Sequence, residues 1–301
     1  MDLARHDARL EAAIRAVPEW RRHDIGVTPL SLGHDERHFM IEVGGELFVL
    51  RLTRPHDTGL RIDATGEIEF TRAAAAAGVA TPVIAALPQL GCLVTRLAPG
   101  RRLTPDDLDR DDVMVAVAGS VRALHACPPP VSLRSPFREA RDLRRAVSMR
   151  GVVMPTAEQR ATEIVAGIEL SWSAPARPAV ACHGDLGTAN LFLDGGHVWI
   201  VDYRWAGAGD PFEDLGSLVA HLELSEERAD SLLALYFGTV RDAHQARLGL
   251  MCVVARYLAA MRELALAPTA IVGSVAAERH FARVIDDAAR EQFVDWLAAL
   301  G

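Results

Sequence analysis

The feature that most restricts how this chain can fold is a pair of apolar runs, residues 191–193 and 198–201, joined through Asp194-Gly195-Gly196. Strand-forming side chains on both sides of a Gly-Gly step specify a tight β-hairpin, because the favoured two-residue turns need positive φ. Closing that hairpin returns Asp202 to the level of Asn190. Two oxygen-bearing side chains then face one point, a donor set that suits a hard cation such as Mg²⁺. Asp185 lies five residues before Asn190, on a polar, Gly-containing stretch that cannot continue as a regular helix. Its carboxylate stands near the same point, able to accept a proton. One base and two metal ligands meet the needs of phosphoryl transfer.

Composition narrows the class. At 301 residues the chain suits two lobes or one large domain, and half of its residues are apolar, ample for a core. No apolar stretch reaches the roughly 18 uncharged residues of a membrane span, so no membrane insertion is expected. The first residues alternate charged and apolar positions and lack a signal-peptide core. Cys92, Cys127, Cys182 and Cys252 show no paired spacing, which points to reduced thiols and a cytoplasmic location. A net charge of −8 disfavours nucleic acid and is compatible with a cationic substrate. There is no lysine: all 32 basic residues are arginine.

Helical periodicity covers residues 2–16 and stops before Pro18. Strand-like runs follow at 27–32, 39–43 and 47–52, the last two joined by Gly44-Gly45. A helix is expected over 67–77, capped by Gly78, then a strand over 91–97. The alanine-rich run 73–87 reads as a helix end and a strand around Pro82. Further helices are expected over 106–126, 156–172, 225–237, 241–266 and 276–300. His34 and His38 lie on a loop without a partner ligand set, so a zinc site is not expected there.

The segment from His183 to Leu215 resembles the signature of the aminoglycoside phosphotransferase and choline kinase superfamily. The matching positions are His183, Asp185, Leu186, Asn190, Val201, Asp202, Ala206, Gly209, Asp210, Pro211, Asp214 and Leu215. Similarity to bacterial choline or ethanolamine kinases extends to Val49-Leu50-Arg51, Gly78-Val79-Ala80, Val94-Thr95-Arg96 and Tyr236-Phe237-Gly238. The resemblance implies an α+β, protein-kinase-like bilobal fold, with a small antiparallel-sheet N-lobe over 1–97 and a larger, mainly helical C-lobe over 98–301. It implies Asp185 as the base, Asn190 and Asp202 as ligands of Mg²⁺, and ATP as phosphate donor. Arg51 takes the place of the lysine that binds the α- and β-phosphates in kinases, and Glu67 pairs with it, with Glu69 as the competing candidate. Gly33 sits where a nucleotide-binding loop lies, and backbone groups around Val94 and Arg96 meet the adenine edge. His183 and Asp214 brace the catalytic loop.

The acceptor is expected to be a small hydroxylated molecule. Two departures bear on which one: Arg204 and Arg262 stand where choline kinases often carry a glutamate and a tryptophan. If both line the pocket they repel a substrate cation; if they point to solvent or pair with Glu213 or Glu263, choline remains acceptable. The alternatives to a choline-kinase-like enzyme are an aminoglycoside or related antibiotic phosphotransferase, and a non-catalytic nucleotide-binding protein of the same fold.

Overall fold

The structure, a computed structural model, describes residues 8–30, 36–53, 64–172, 179–266 and 275–300. Helix α1 (Ala8–Ala16) leads into strands β1 (Ile25–Leu30), β2 (Glu36–Val43) and β3 (Glu46–Thr53). β2 and β3 form the expected hairpin, with Val43 opposite Glu46 across Gly44-Gly45. Helix α2 (Ala64–Ala76) follows. It ends in a Schellman motif, in which Gly78 N–H donates to Ala75 O and Val79 N–H to Ala74 O, both at 3.0 Å. Strands β4 (Val83–Leu87) and β5 (Cys92–Arg96) complete an antiparallel sheet ordered β1-β2-β3-β5-β4. Leu10, Trp20, Ile41, Leu50, Leu52 and Val94 form its core. Burying each such large side chain is worth about 1.5–3 kcal/mol, enough to hold a small lobe together. Phe70 and Ala74 of α2 instead join the larger core, so this helix ties the lobes to each other.

Beyond Gly100 the chain is mainly helical. The two-residue strand β6 (Arg101–Arg102) precedes α3 (Asp111–His125), α4 (Pro136–Met149) and α5 (Glu158–Ser171). Strands β7 (Val180–Cys182), β8 (Leu191–Asp194), β9 (His197–Ile200) and β10 (Gly207–Gly209) carry the polar signature. Helices α6 (Pro211–His221), α7 (Glu226–Phe237), α8 (Asp242–Leu266), α9 (Val275–Ala288) and α10 (Glu291–Ala298) close the lobe. The long α8 is the central post, packed by α4, α6, α9 and α10. Among the described residues no helix is long and apolar enough to cross a membrane.

Three helical expectations need correction. The helix expected over 106–126 is broken at Arg110, whose backbone is extended. The cause is Asp107, whose carboxylate accepts the Thr104 N–H and hydroxyl at 2.8 Å and holds a separate 3₁₀ turn. The helix expected over 276–300 divides at Arg290, beside the buried Asp287, which pairs with Arg256 at 3.0 Å and Arg290 at 3.2 Å. Helix α4 was not anticipated, although Ser135 caps it and Pro136 opens it, a recognisable start signal. Residues 2–7 of the first expected helix lie outside the described residues.

Candidate active site

The hairpin forms as its sequence dictates. Gly195 and Gly196 take φ of 53° and 89°, conformations that side chains resist, and Asp194 faces His197 across the turn. Leu191 pairs with Ile200, and Val201 N–H donates to Asn190 O at 3.0 Å. Asn190 and Asp202 are thereby brought to one end of the hairpin. Asp202 itself adopts φ 65°, a left-handed backbone that costs a non-glycine residue about 1 kcal/mol or more and is tolerated best by Asp and Asn. Asp185, Asn190 and Asp202 line one cleft of about 360 Å³. The Asn190 amide nitrogen donates to Asp185 O at 2.9 Å, fixing the loop from within.

A buried brace holds this loop from below. Asp214, fully buried on α6, accepts the His183 N–H at 2.7 Å and the Gly184 N–H at 2.6 Å. His125 Nε2 donates to the same carboxylate at 2.9 Å, and its Nδ1 shares a hydrogen bond with the Tyr236 hydroxyl. Burial pushes the Asp214 carboxyl up, but the His125 hydrogen bond, the neighbouring imidazoles and the Gly184 N–H outweigh it and hold the group below its ordinary value. His183 uses both ring nitrogens: Nδ1 accepts the Asp185 N–H at 3.1 Å, and Nε2 donates to Val201 O at 3.0 Å. One imidazole thus couples the loop carrying Asp185 to the strand end carrying Asp202. Gly184 has φ 83°, and a side chain there would strike Arg134 and Trp205 O. Only glycine fits.

The opposite wall comes from β3 and α2. Arg51, 7% exposed, donates to Glu67 and, at 3.0 Å, to Asp202 Oδ1. Glu67 is the partner; Glu69 is exposed. Val94 is fully buried in the small core and does not line the cleft, whereas Leu93, Thr95, Arg96, Leu97 and Ala98 do. Arg96 is half exposed and pairs with Glu46 at 3.0 Å, near the ring of Phe48. Gly33 and His34 lie outside the described residues; Leu30 and His38, on either side of them, line the cleft.

At the Asp185 end of the cleft the structure shows where Arg262 and Arg204 lie and adds Glu139 and Arg134, which the sequence did not single out. Arg262, on α8 and 6% exposed, donates to Asp185 Oδ1 at 2.7 Å. It also donates to Glu139 of α4, at 2.8 Å from Nε, and to Gly184 O at 3.0 Å. Its partners are therefore Asp185 and Glu139, not Glu213 or Glu263. Arg134 bridges Glu139 and Glu213, each at 2.9 Å. Burial pushes the Asp185 carboxyl up, yet the Arg262 guanidinium first, with Arg134 and the neighbouring imidazoles, holds it below its usual value. Arg204 lines the cleft beside Trp205. Glu139 went unseen because α4 did; the Ser135-Pro136 start signal was the clue available.

Comparison with known proteins agrees with this fold. A family model described as the phosphotransferase enzyme family matches residues 26–249. Protein LicA of Haemophilus influenzae is 31% identical over 64 residues, a stretch of 21% of this chain and 24% of that protein. The match thus spans about a quarter of the relative's length. Among solved structures, a choline/ethanolamine kinase family protein from Mesorhizobium loti superposes with a TM-score of 0.80 at 24% identity, covering 97% of each chain. Choline kinase LicA from Streptococcus pneumoniae gives 0.76 at 12% identity, covering 93% of this chain and 98% of that one. At these identities the likeness is one of fold: the two-lobed, protein-kinase-like arrangement.

Proposed function

The chain belongs to the phosphotransferase enzyme family, and from that premise we propose that it transfers the γ-phosphoryl group of ATP to a hydroxyl of a small molecule. The reading rests on the convergence of Asp185, Asn190 and Asp202 on one cleft that Arg51 and Glu67 close from the other side. Residues 1–97 serve as the nucleotide-binding lobe and 98–301 as the lobe of catalysis and acceptor binding.

Asp185 orients the acceptor hydroxyl and takes its proton late, because phosphoryl transfer is limited by positioning more than by base strength. Its depressed pKa keeps it ionised and ready to accept a hydrogen bond. Arg51 presents a forked guanidinium to the α- and β-phosphates, held in place by Glu67. The adenine lies against the wall between Leu93 and Ala98, with Arg96 at its mouth. Asn190 and Asp202 suit Mg²⁺, since both offer hard oxygen donors and the Asn190 nitrogen is already committed to Asp185 O. Held there, Mg²⁺ would supply positive charge to offset that on the phosphate oxygens. The four cysteines are buried and free, which supports a reducing, cytoplasmic setting.

The test is ADP release measured against a panel of amino alcohols, sugars and aminoglycosides, with phosphorylated product identified by mass. A stimulated rate with matching product is the expected result. ATP turnover that no acceptor stimulates sets the proposal aside.

A further inference from the structure

A pocket that recognises a substrate cation presents an aromatic face and carboxylates to it. Beside Asp185 those surfaces exist, and the chain itself fills them. The Arg262 guanidinium carbon stands 4.4 Å from the centre of the Trp205 ring. Its nitrogens reach Asp185 Oδ1, Glu139 Oε1 and Gly184 O through four hydrogen bonds. The second Glu139 oxygen takes Arg134 at 2.9 Å. Arg204 lies over the same indole at 5.5 Å. Among the described residues, the Trp205 face, Asp185 Oδ1 and both Glu139 oxygens are already turned toward an arginine.

We propose that Arg262 is a built-in occupant of the cation site, and that the alcohol phosphorylated at Asp185 carries no positive charge of its own. This rests on the kinase reading given above. Displacing Arg262 to admit a quaternary ammonium would break its four hydrogen bonds to Asp185, Glu139 and Gly184 O, and the incoming group has no N–H to replace them. Leaving it in place sets a guanidinium against any incoming ammonium, at a distance where like charges repel strongly. An uncharged or anionic alcohol meets neither obstacle. Arg262 is therefore a specificity-determining residue that also positions Asp185.

The test compares choline with its uncharged isostere 3,3-dimethylbutan-1-ol, which keeps the shape and the hydroxyl and removes the charge. Both alcohols use the same base, so their ratio of kcat/KM reports charge preference whatever the absolute rate. The wild type is expected to favour the isostere at least tenfold, on the scale of one lost charge contact. Arg262→Gln and Arg262→Met, which vacate the cage, should move the ratio toward choline by a similar factor. Calorimetric binding of the same two compounds should follow the same order. A wild type that prefers choline, or folded variants with an unchanged ratio, overturns the proposal. Failure of both compounds to bind wild type and folded variants alike overturns the cage itself. Binding that follows the expected order with no phosphoryl transfer to any alcohol removes the kinase reading and leaves standing only the occupancy of the cation site by Arg262.

Discussion

Arg51 and Asp202, 151 residues apart, are joined by a 3.0 Å hydrogen bond that crosses from the small lobe to the large one. The same guanidinium is anchored on Glu67, and both members of that second pair are nearly buried. Arg51→Ala should therefore act twice. Losing a charged hydrogen bond to phosphate, worth about 1.5–3 kcal/mol, should lower kcat/KM for ATP by at least tenfold. Removing the guanidinium that faces the buried Glu67 carboxylate should also lower stability, visible as a lower Tm. Arg51→Lys should recover part of both. Unchanged ATP kinetics in the alanine variant would assign the phosphates to another arginine.

Asp185→Asn preserves an acceptor oxygen for Arg262 and removes the base. Turnover should fall by about 10²–10⁴-fold, while nucleotide affinity is unaltered. Single-turnover kinetics beside equilibrium ATP binding separate the two effects. Near-normal turnover by this variant rules the assignment out.

Asp202→Asn keeps a residue suited to the left-handed backbone at φ 65° and removes one negative charge from the donor set. The divalent-ion requirement should shift to higher concentration, and Asp202→Ala should be inactive at any concentration. A titration of rate against Mg²⁺, with excess chelator as the zero point, measures this. Full activity in chelator contradicts the metal assignment.

The pH response follows from Asp214. Its folded pKa lies below the ordinary 3.8, so the unfolded chain binds more protons in that range and stability rises with pH. The contribution is fully present above 3.8 and is lost as pH falls through the folded value. His125→Phe removes the hydrogen bond that most depresses it. Acid unfolding followed by circular dichroism should then begin at higher pH than in wild type. Coincident curves would mean that the backbone N–H groups of His183 and Gly184 suffice.

The hairpin of β8 and β9 was legible because a two-residue Gly-Gly turn leaves one register, and that register sets Asn190 and Asp202 at the same end. Pairing of Arg51 with Glu67 was readable only as a resemblance, since sixteen residues separate them in sequence and side-chain direction decides the choice over Glu69. Local capping explains the missed helix breaks at Arg110 and Arg290: a single buried aspartate at each outweighs a favourable helical stretch. The network of Arg134, Glu139 and Arg262 could not be read at all. Its members come from a loop and two helices whose packing is a tertiary fact, and charged residues on amphipathic helices look alike until the neighbouring face is known. Val94, named for its backbone groups, lies on the expected strand with its side chain in the core.

The arginine at position 51 also changes what reagents can see. A lysine in a nucleotide cleft is a latent nucleophile, because its amine can lose a proton and attack an acyl group presented by a bound nucleotide. A guanidinium, with a pKa above about 12, stays protonated and inert to such attack. No side chain among the 301 residues carries a primary amine. Amine-directed acylating nucleotides, used to report occupied kinase sites, will leave this cleft unmarked even when it is full. Its occupancy has to be read by heat, by fluorescence or by turnover.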